Sequence, residues 1–139
     1  MVIQFLKMVS FFLVMVGLLH LVLGLEADVL LGAVVSPEAL SDPVLDSQNR
    51  FYGVAFSVYG FLLYLCATDV EKYQTVLRVL LWVFFTAGCA RLVSMAVYGL
   101  PSSQVLFLLS IELTLPPIGV IWINNAVVAN SAVIRTDDV

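Results

Sequence analysis

Four long apolar runs, separated by shorter polar segments, dominate the pattern of hydrophobic and polar positions along the chain. An α-helix needs about 20 apolar residues to cross a hydrocarbon layer about 30 Å thick, and the runs are close to that length. The pattern predicts an all-α integral membrane four-helix bundle that forms a single transmembrane domain over residues 1–139. The predicted spans are about residues 3–25, 51–68, 76–98 and 105–123, followed by a polar tail over residues 124–139.

The segment between the first and second spans, residues 26–49, is long and acidic. Pro37 and Pro43 predict that no long helix runs through it, because a proline inside a helix removes a backbone donor. The apolar stretch 29–35 is too short to cross a bilayer as a helix, so a short strand and a short helix both remain open for it. The segment contains no lysine or arginine, and its acidic residues are Glu26, Asp28, Glu38, Asp42 and Asp46.

The first apolar run has a second interpretation. Lys7 followed by apolar residues up to Leu25 is similar to a secretory signal peptide. The run is long for that role, and no A-x-A cleavage site follows at residues 24–27. We therefore expect the run to be the first membrane span.

Composition places the chain among integral membrane proteins. It is 62% hydrophobic and only 12% charged, with a mean hydropathy of +1.07. That charged fraction is about half of what a soluble domain carries. The net charge of −4 and the lack of a basic stripe argue against nucleic acid as a partner. Cys66 and Cys89 have no metal-ligand spacing, so we expect small buried thiols, and no metal or other cofactor is predicted.

The distribution of lysine and arginine predicts the orientation in the membrane. Arg50 is the one basic residue expected on the side of the acidic segment. Because cytoplasmic loops carry an excess of positive charge, both termini are predicted in the cytoplasm, with the acidic segment outside a bacterial inner membrane. The basic residues expected on the cytoplasmic side are Lys7, Lys72, Arg78 and Arg135.

Two opposite charges, Arg91 and Glu112, lie inside the third and fourth apolar runs. Arg91 is ten positions before Pro101 in the connecting turn, and Glu112 is eleven after it. At about 1.5 Å per residue, a helical hairpin would place both charges about 15 Å from the turn. Unpaired charges at that depth are costly, so we predict that the two side chains are partners.

With this topology, several polar side chains fall in the outward half of the bundle. Three interpretations remain open: the cluster joins helices, it lines a pocket for a small molecule or lipid headgroup, or it takes part in catalysis. A single histidine disfavours a metal or bis-histidine haem site, and no catalytic residues are assigned. Pro116 and Pro117 predict a kink in the fourth span, with a freed carbonyl that Arg91 could bind. The predicted cluster consists of His20, Asn49, Arg50, Tyr52, Tyr59, Arg91 and Glu112.

Several short motifs resemble a bacterial family of four-span membrane proteins, domain of unknown function 4345. The most specific are NRFYG at residues 49–53 and IELTLPP at residues 111–117. The resemblance covers about residues 3–124 and implies a four-span fold without an assigned activity. The surroundings of Arg50 and Arg91 are also faintly similar to the four-span scaffold family of ergosterol biosynthesis, which implies an adaptor that tethers membrane enzymes.

Two functional hypotheses follow from these patterns. The first is a non-catalytic accessory or scaffold subunit of a larger membrane assembly, because the spans have apolar exteriors and the chain carries no catalytic signature. Its partners would be membrane lipid and other integral membrane proteins, or further copies of the chain. The second is a small membrane enzyme or carrier that binds a lipophilic molecule in a polar pocket in the outward half of the bundle.

Overall fold

The computed structural model of the protein describes residues 2–137, with side chains for residues 3–125, and contains helices without strands in that range. The described residues form two compact units, one ending at Val70 and the next beginning at Glu71. The helices are α1 (Val2–Leu23), α2 (Glu26–Leu30), α3 (Pro37–Leu40), α4 (Pro43–Thr68), α5 (Gln74–Tyr98) and α6 (Ser103–Asp137).

Four helices of the described chain are long and apolar enough to cross a membrane. They confirm the all-helical class and the number of spans predicted from hydropathy. The predicted polar tail, residues 124–139, lies mostly outside the residues with described side chains, although α6 itself continues to Asp137. The candidate spans are Ile3–Leu23, Pro43–Thr68, Gln74–Tyr98 and Ser103–Asn125.

The second long helix begins well before its predicted start near residue 51. It starts at Pro43, the first helical position, where a proline is tolerated because that backbone donor has no partner within the helix. Asp42 caps this end, its Oδ1 accepting hydrogen bonds from the amides of Val44 at 2.7 Å and Leu45 at 3.3 Å. The proline that was predicted to break a helix therefore starts one, and residues 43–49 of the predicted acidic loop are helical.

The remainder of the acidic segment contains two short helices. Strand and helix were both open for the apolar stretch 29–35. Its first two residues are the last two of α2, and the chain then turns at Gly32, whose φ is 96°. Ser36 caps α3 through a 3.3 Å hydrogen bond from the amide of Ala39. Hydrogen bonds from its own backbone amide and from Ser36 hold the pKa of Glu38 below its ordinary range.

In the first unit, α1 and α4 pack as an antiparallel pair, here called the first hairpin. A Cβ built on Gly53 would lie 2.5 Å from the amide nitrogen of Leu21 and 2.6 Å from the carbonyl oxygen of Gly17. Nearer the other end, the buried Ser10 hydroxyl donates a 2.8 Å hydrogen bond to the carbonyl of Gly60. Glycines at the contact thus let the two backbones approach closely, as small residues do in membrane helix pairs.

In the second unit, α5 and α6 pack as an antiparallel pair, here called the second hairpin. A Cβ on Gly88 would lie 3.0 Å from the Cβ of Glu112, and one on Gly119 would lie 3.0 Å from Leu81. The turn between the helices begins at Gly99, whose φ of 89° suits glycine. The hairpin predicted from the short connection is therefore present. Its buried apolar residues include Leu77, Leu80, Leu109, Pro116 and Ile123.

Candidate functional site

His20 lies in the last turn of α1 and is only 5% exposed. Its Nδ1 is 2.8 Å from the carbonyl oxygen of Val16, and its Nε2 is 3.2 Å from Oδ1 of Asp28. The other carboxylate oxygen of Asp28 accepts a 3.2 Å hydrogen bond from Nδ2 of Asn49. One acidic side chain on α2 therefore joins the end of α1 to the first turns of α4.

Asp28 was not among the predicted site residues. It was counted only as part of the acidic segment. The available signal was its position eight residues after His20, just beyond the glycine that ends α1. Gly24 has a φ of 61°, which turns the chain back so that α2 lies against the end of α1.

Arg50 binds the backbone carbonyls at the C-terminal end of α1. Its guanidinium binds Asp46 with two hydrogen bonds, from Nε at 2.8 Å and from Nη2 at 3.3 Å. Its Nη1 donates to the carbonyls of Leu21 at 3.0 Å and Val22 at 2.8 Å. The last carbonyls of a helix lack intrahelical partners, so a cation placed there both satisfies them and stabilises the helix dipole.

Gly24 is required at this corner for two reasons. Its amide donates a 2.8 Å hydrogen bond to the carbonyl of His20, which closes the helix end in the left-handed conformation. A Cβ on Gly24 would also overlap the carboxylate of Asp46. Any larger residue would therefore displace the Asp46–Arg50 pair from the end of α1.

The two predicted tyrosines lie on one flank of α4, seven residues apart. Tyr52 is exposed and packs edge-on against Phe51, with ring centroids 6.1 Å apart. Tyr59 is half-buried further along the helix. Among the described residues, Tyr52 has no hydrogen bond to the group formed by His20, Asp28 and Asn49.

The charge pair predicted in the second hairpin is present. Nε of Arg91 donates a 2.7 Å hydrogen bond to Oε2 of Glu112. The Glu112 side chain is 6% exposed, whereas the Arg91 side chain is 36% exposed. The carboxylate is thus the enclosed partner, and the arginine reaches it from the rim.

The expected contact between Arg91 and a freed carbonyl of α6 is not formed. Pro116 and Pro117 lie inside α6 and supply no donor to the carbonyls of Glu112 and Leu113. Arg91 uses Nε alone, so four of its five N–H donors have no hydrogen-bond partner among the described residues. The helix continues through both prolines, and a kink at this point stays a prediction.

A second polar contact in this hairpin was missed from the sequence. Nη2 of Arg78 donates a 2.9 Å hydrogen bond to Oδ1 of Asn124, far from the connecting turn. Arg78 had been read only as a topological charge, and Asn124 only as the start of the polar tail. The signal was that the two residues lie at similar distances from the turn, as Arg91 and Glu112 do.

The predicted cluster is represented by His20, Asn49 and Arg50 in the first hairpin and by Arg91 and Glu112 in the second. Whether these side chains share one pocket stays a prediction. In the part of the chain with described side chains, no group of histidine, cysteine and acidic residues is arranged to hold a metal ion. Cys66 is fully buried and Cys89 is partly buried.

Four apolar helices, with ionisable side chains bound to partners inside each hairpin, define a polytopic helical membrane protein. Residues 3–123 match the model of the family described as Domain of unknown function (DUF4345), and the protein belongs to that family. This confirms the resemblance carried by the NRFYG and IELTLPP motifs. No curated protein and no solved structure matches the chain.

Proposed function

We propose that the protein is a non-catalytic accessory or scaffold subunit of a larger assembly in a bacterial inner membrane. Both termini lie in the cytoplasm and the acidic segment faces outward, as the excess of lysine and arginine at the other ends of the spans supports. The partners are integral membrane proteins or further copies of the chain, surrounded by membrane lipid, and nucleic acid is not a partner.

The observation that carries this proposal is an exposed stripe on α5. The stripe forms an open apolar groove whose residues recur at intervals of three and four, the spacing with which one helix packs on another. Trp82 is 50% exposed at one side of the groove, and Ala87 and Ala90 are small and exposed. The groove is lined by Val79, Trp82, Val83, Thr86, Ala87 and Ala90.

The glycines inside the described membrane spans already have a packing partner. Gly17 and Gly53 face each other within the first hairpin, and Gly88 faces Glu112 within the second. Because lipid provides no hydrophobic drive for helix association, close contact through small residues is a main source of affinity between membrane helices. The small positions on the α5 stripe are exposed, so they can accept a helix from a partner.

The polar side chains support a structural role rather than a catalytic one. His20 and Arg50 bind groups of their own unit, and so does Glu112. Each contact joins two helices or two segments of one hairpin. Each of these side chains therefore stabilises its own unit, and Glu112 stabilises the hairpin that presents the stripe.

Site-specific photocrosslinking in intact cells tests the proposal. A benzophenone amino acid at Trp82 should yield a discrete adduct of higher mass. The benzophenone amino acid at Phe107, which is 67% exposed on α6, is the matched control and should not yield an adduct. Equal labelling at both positions, or crosslinks only within the chain, would contradict the proposal.

A steric variant makes the same test without a crosslinker. Ala90→Leu places bulk in the groove, whereas Ala96→Leu adds the same bulk at an exposed position of α5 outside it. We expect Ala90→Leu to reduce co-purification of the partner in mild detergent and Ala96→Leu to leave it unchanged. Equal retention of the partner by both variants would contradict a role for the groove.

A second candidate function is a small enzyme or carrier for a lipophilic molecule, and Arg91 favours it. Its unoccupied N–H donors lie at the predicted mid-depth of the membrane, where each such donor needs a partner. An oxygen of a bound carbonyl or anionic group would satisfy them. Mass spectrometry of the purified protein tests this: a stoichiometric small molecule that is retained by the parent and lost from Arg91→Leu would support it.

A further inference from the structure

Both ring nitrogens of His20 face an acceptor oxygen, and the number of protons that this arrangement needs points to a proton-binding site. Nδ1 faces the carbonyl oxygen of Val16 at 2.8 Å, and Nε2 faces a carboxylate oxygen of Asp28 at 3.2 Å. A carbonyl can only accept, and an ionised carboxylate can only accept. A neutral imidazole carries a single N–H, so it can fill one of the two contacts and not both.

Filling both contacts requires one further proton. It resides on Nε2, giving an imidazolium beside a carboxylate, or on Asp28, giving a carboxylic acid that donates to Nε2. The proton count is the same in both arrangements. The geometry therefore describes a pair that binds one proton more than a neutral histidine and an ionised aspartate would.

The charged groups around the pair do not replace that proton. Asp28 is the acidic contact of His20 from α2, and Asn49 is the contact of Asp28 from α4. Arg50 is bound to Asp46 and to the carbonyls that end α1. Glu26, also on α2, acts electrostatically on Arg50. The ring of Phe56 lies beside His20 in a tilted arrangement, with ring centroids 6.3 Å apart.

A route for the proton is present on one side. His20 is almost fully enclosed, whereas the Asp28 side chain is 39% exposed. Protons can therefore reach the pair from the aqueous face through the aspartate. That face is the one that the proposed topology places outside the membrane.

The segment that carries Asp28 can respond to the loss of its contact. Helix α2 has five residues, lacks a side-chain N-cap and lies between Gly24 and Gly32, whose φ angles are 61° and 96°. Ala27 is fully buried and keeps α2 beside the hairpin. Asp28 attaches α2 to α1 through His20 and to α4 through Asn49, and Glu26 adds an electrostatic interaction with Arg50.

We propose that His20 and Asp28 form a proton-binding site whose occupation fastens α2 across the ends of α1 and α4. The fastened state holds one proton more than the released state. By linkage, acid favours the fastened state and alkali favours release. The protein thereby senses proton concentration at the face of the membrane where the acidic segment lies, independently of which partner or ligand it binds.

Hydrogen–deuterium exchange of the full-length protein in nanodiscs tests the proposal. Exchange of amides 25–32 is compared at about pH 5 and about pH 8.5, which bracket the range where histidine ordinarily titrates, after correction for the intrinsic rate. In the parent, protection should fall with rising pH by up to about tenfold per pH unit, the limit for release of one proton. Protection that does not change with pH would overturn the proposal.

Asp28→Asn is the discriminating variant. Its amide Nδ2 can donate to Nε2 of a neutral His20, and its Oδ1 can still accept from Asn49, so every contact is filled without the extra proton. Protection in this variant should not fall as the pH rises. If Asp28→Asn keeps the pH dependence of the parent, the proposal is wrong.

Two further variants complete the experiment. Glu38→Gln removes a carboxylate from α3, in the same acidic segment, and should keep the pH dependence of the parent. His20→Gln removes the titrating ring and should abolish that dependence even if Asp28→Asn does not fold. A dependence lost in Glu38→Gln, or kept in His20→Gln, would assign the effect to other groups and refute the site.

Discussion

Breaking the Arg91–Glu112 pair from its two sides should have unequal consequences. Arg91→Leu strands the Glu112 side chain, which is 6% exposed, whereas Glu112→Leu strands the Arg91 side chain, which is 36% exposed. Removing one partner of a buried pair costs about 3–5 kcal/mol, because an uncompensated charge stays enclosed. We expect that range for Arg91→Leu. For Glu112→Leu we expect about 1–2 kcal/mol, because a long arginine can turn towards a more polar region.

The double variant isolates the interaction itself. With both charges replaced by leucine, neither side chain carries an unpaired charge, and a hydrophobic pair can fill much of the same volume. The double variant should therefore be more stable than Arg91→Leu alone. The coupling energy should be about 2–3 kcal/mol, which is in the range measured for residues in direct contact.

Reversible unfolding in mixed micelles, followed by circular dichroism, measures the four free energies of this cycle. Leu92→Ala, an exposed change on the same helix, is the control for substitution in α5 and should be nearly neutral. Additive effects of the two charge substitutions would refute the pairing as an energetic contact. Equal costs for the two single variants would refute the argument from their unequal burial.

Three further predictions concern topology, packing and the end of α1. A cysteine replacing Glu38 should react with an impermeant thiol reagent in intact cells and one replacing Lys72 should not, and the reverse pattern would overturn the orientation. Gly53→Ala should lower the free energy of unfolding by about 1–3 kcal/mol, because the added Cβ meets backbone atoms of α1. Gly119→Ala should lower it by less, because its Cβ meets only the flexible end of Leu81. Equal losses would contradict the close approach of the α1 and α4 backbones. Arg50→Lys should lower the free energy of unfolding in the same assay, because one ammonium cannot reproduce both the paired bonds to Asp46 and the bonds to the α1 carbonyls, and a neutral result would show that these contacts contribute little.

The spans of the second hairpin and its charge pair could be predicted from the sequence. Hydropathy marks each span, and a fixed rise per residue converts a position along the chain into a depth. Arg91 and Glu112 are ten and eleven positions from Pro101, so a short turn already places them side by side. No knowledge of helix rotation was needed to predict that they pair.

The local sequence also indicates where α4 starts, although Pro43 was predicted to break a helix. Asp42 followed by Pro43 is a capping residue followed by the residue best suited to the first helical position. Proline stops a helix only when an earlier turn would need its missing donor. Here no earlier turn exists, so the same residue begins the helix.

The polar network of the first hairpin depended on the tertiary structure. Arg50 binds the carbonyls of Leu21 and Val22, which are 29 and 28 positions away, and Asp28 reaches both His20 and Asn49. Hydropathy gives the depth of each residue but not the rotation of a helix about its axis, and it does not show how Gly24 redirects the chain. The rotation of each helix and the direction of the chain after Gly24 decide which polar groups meet, and they are fixed only when α1 and α4 pack through their glycines.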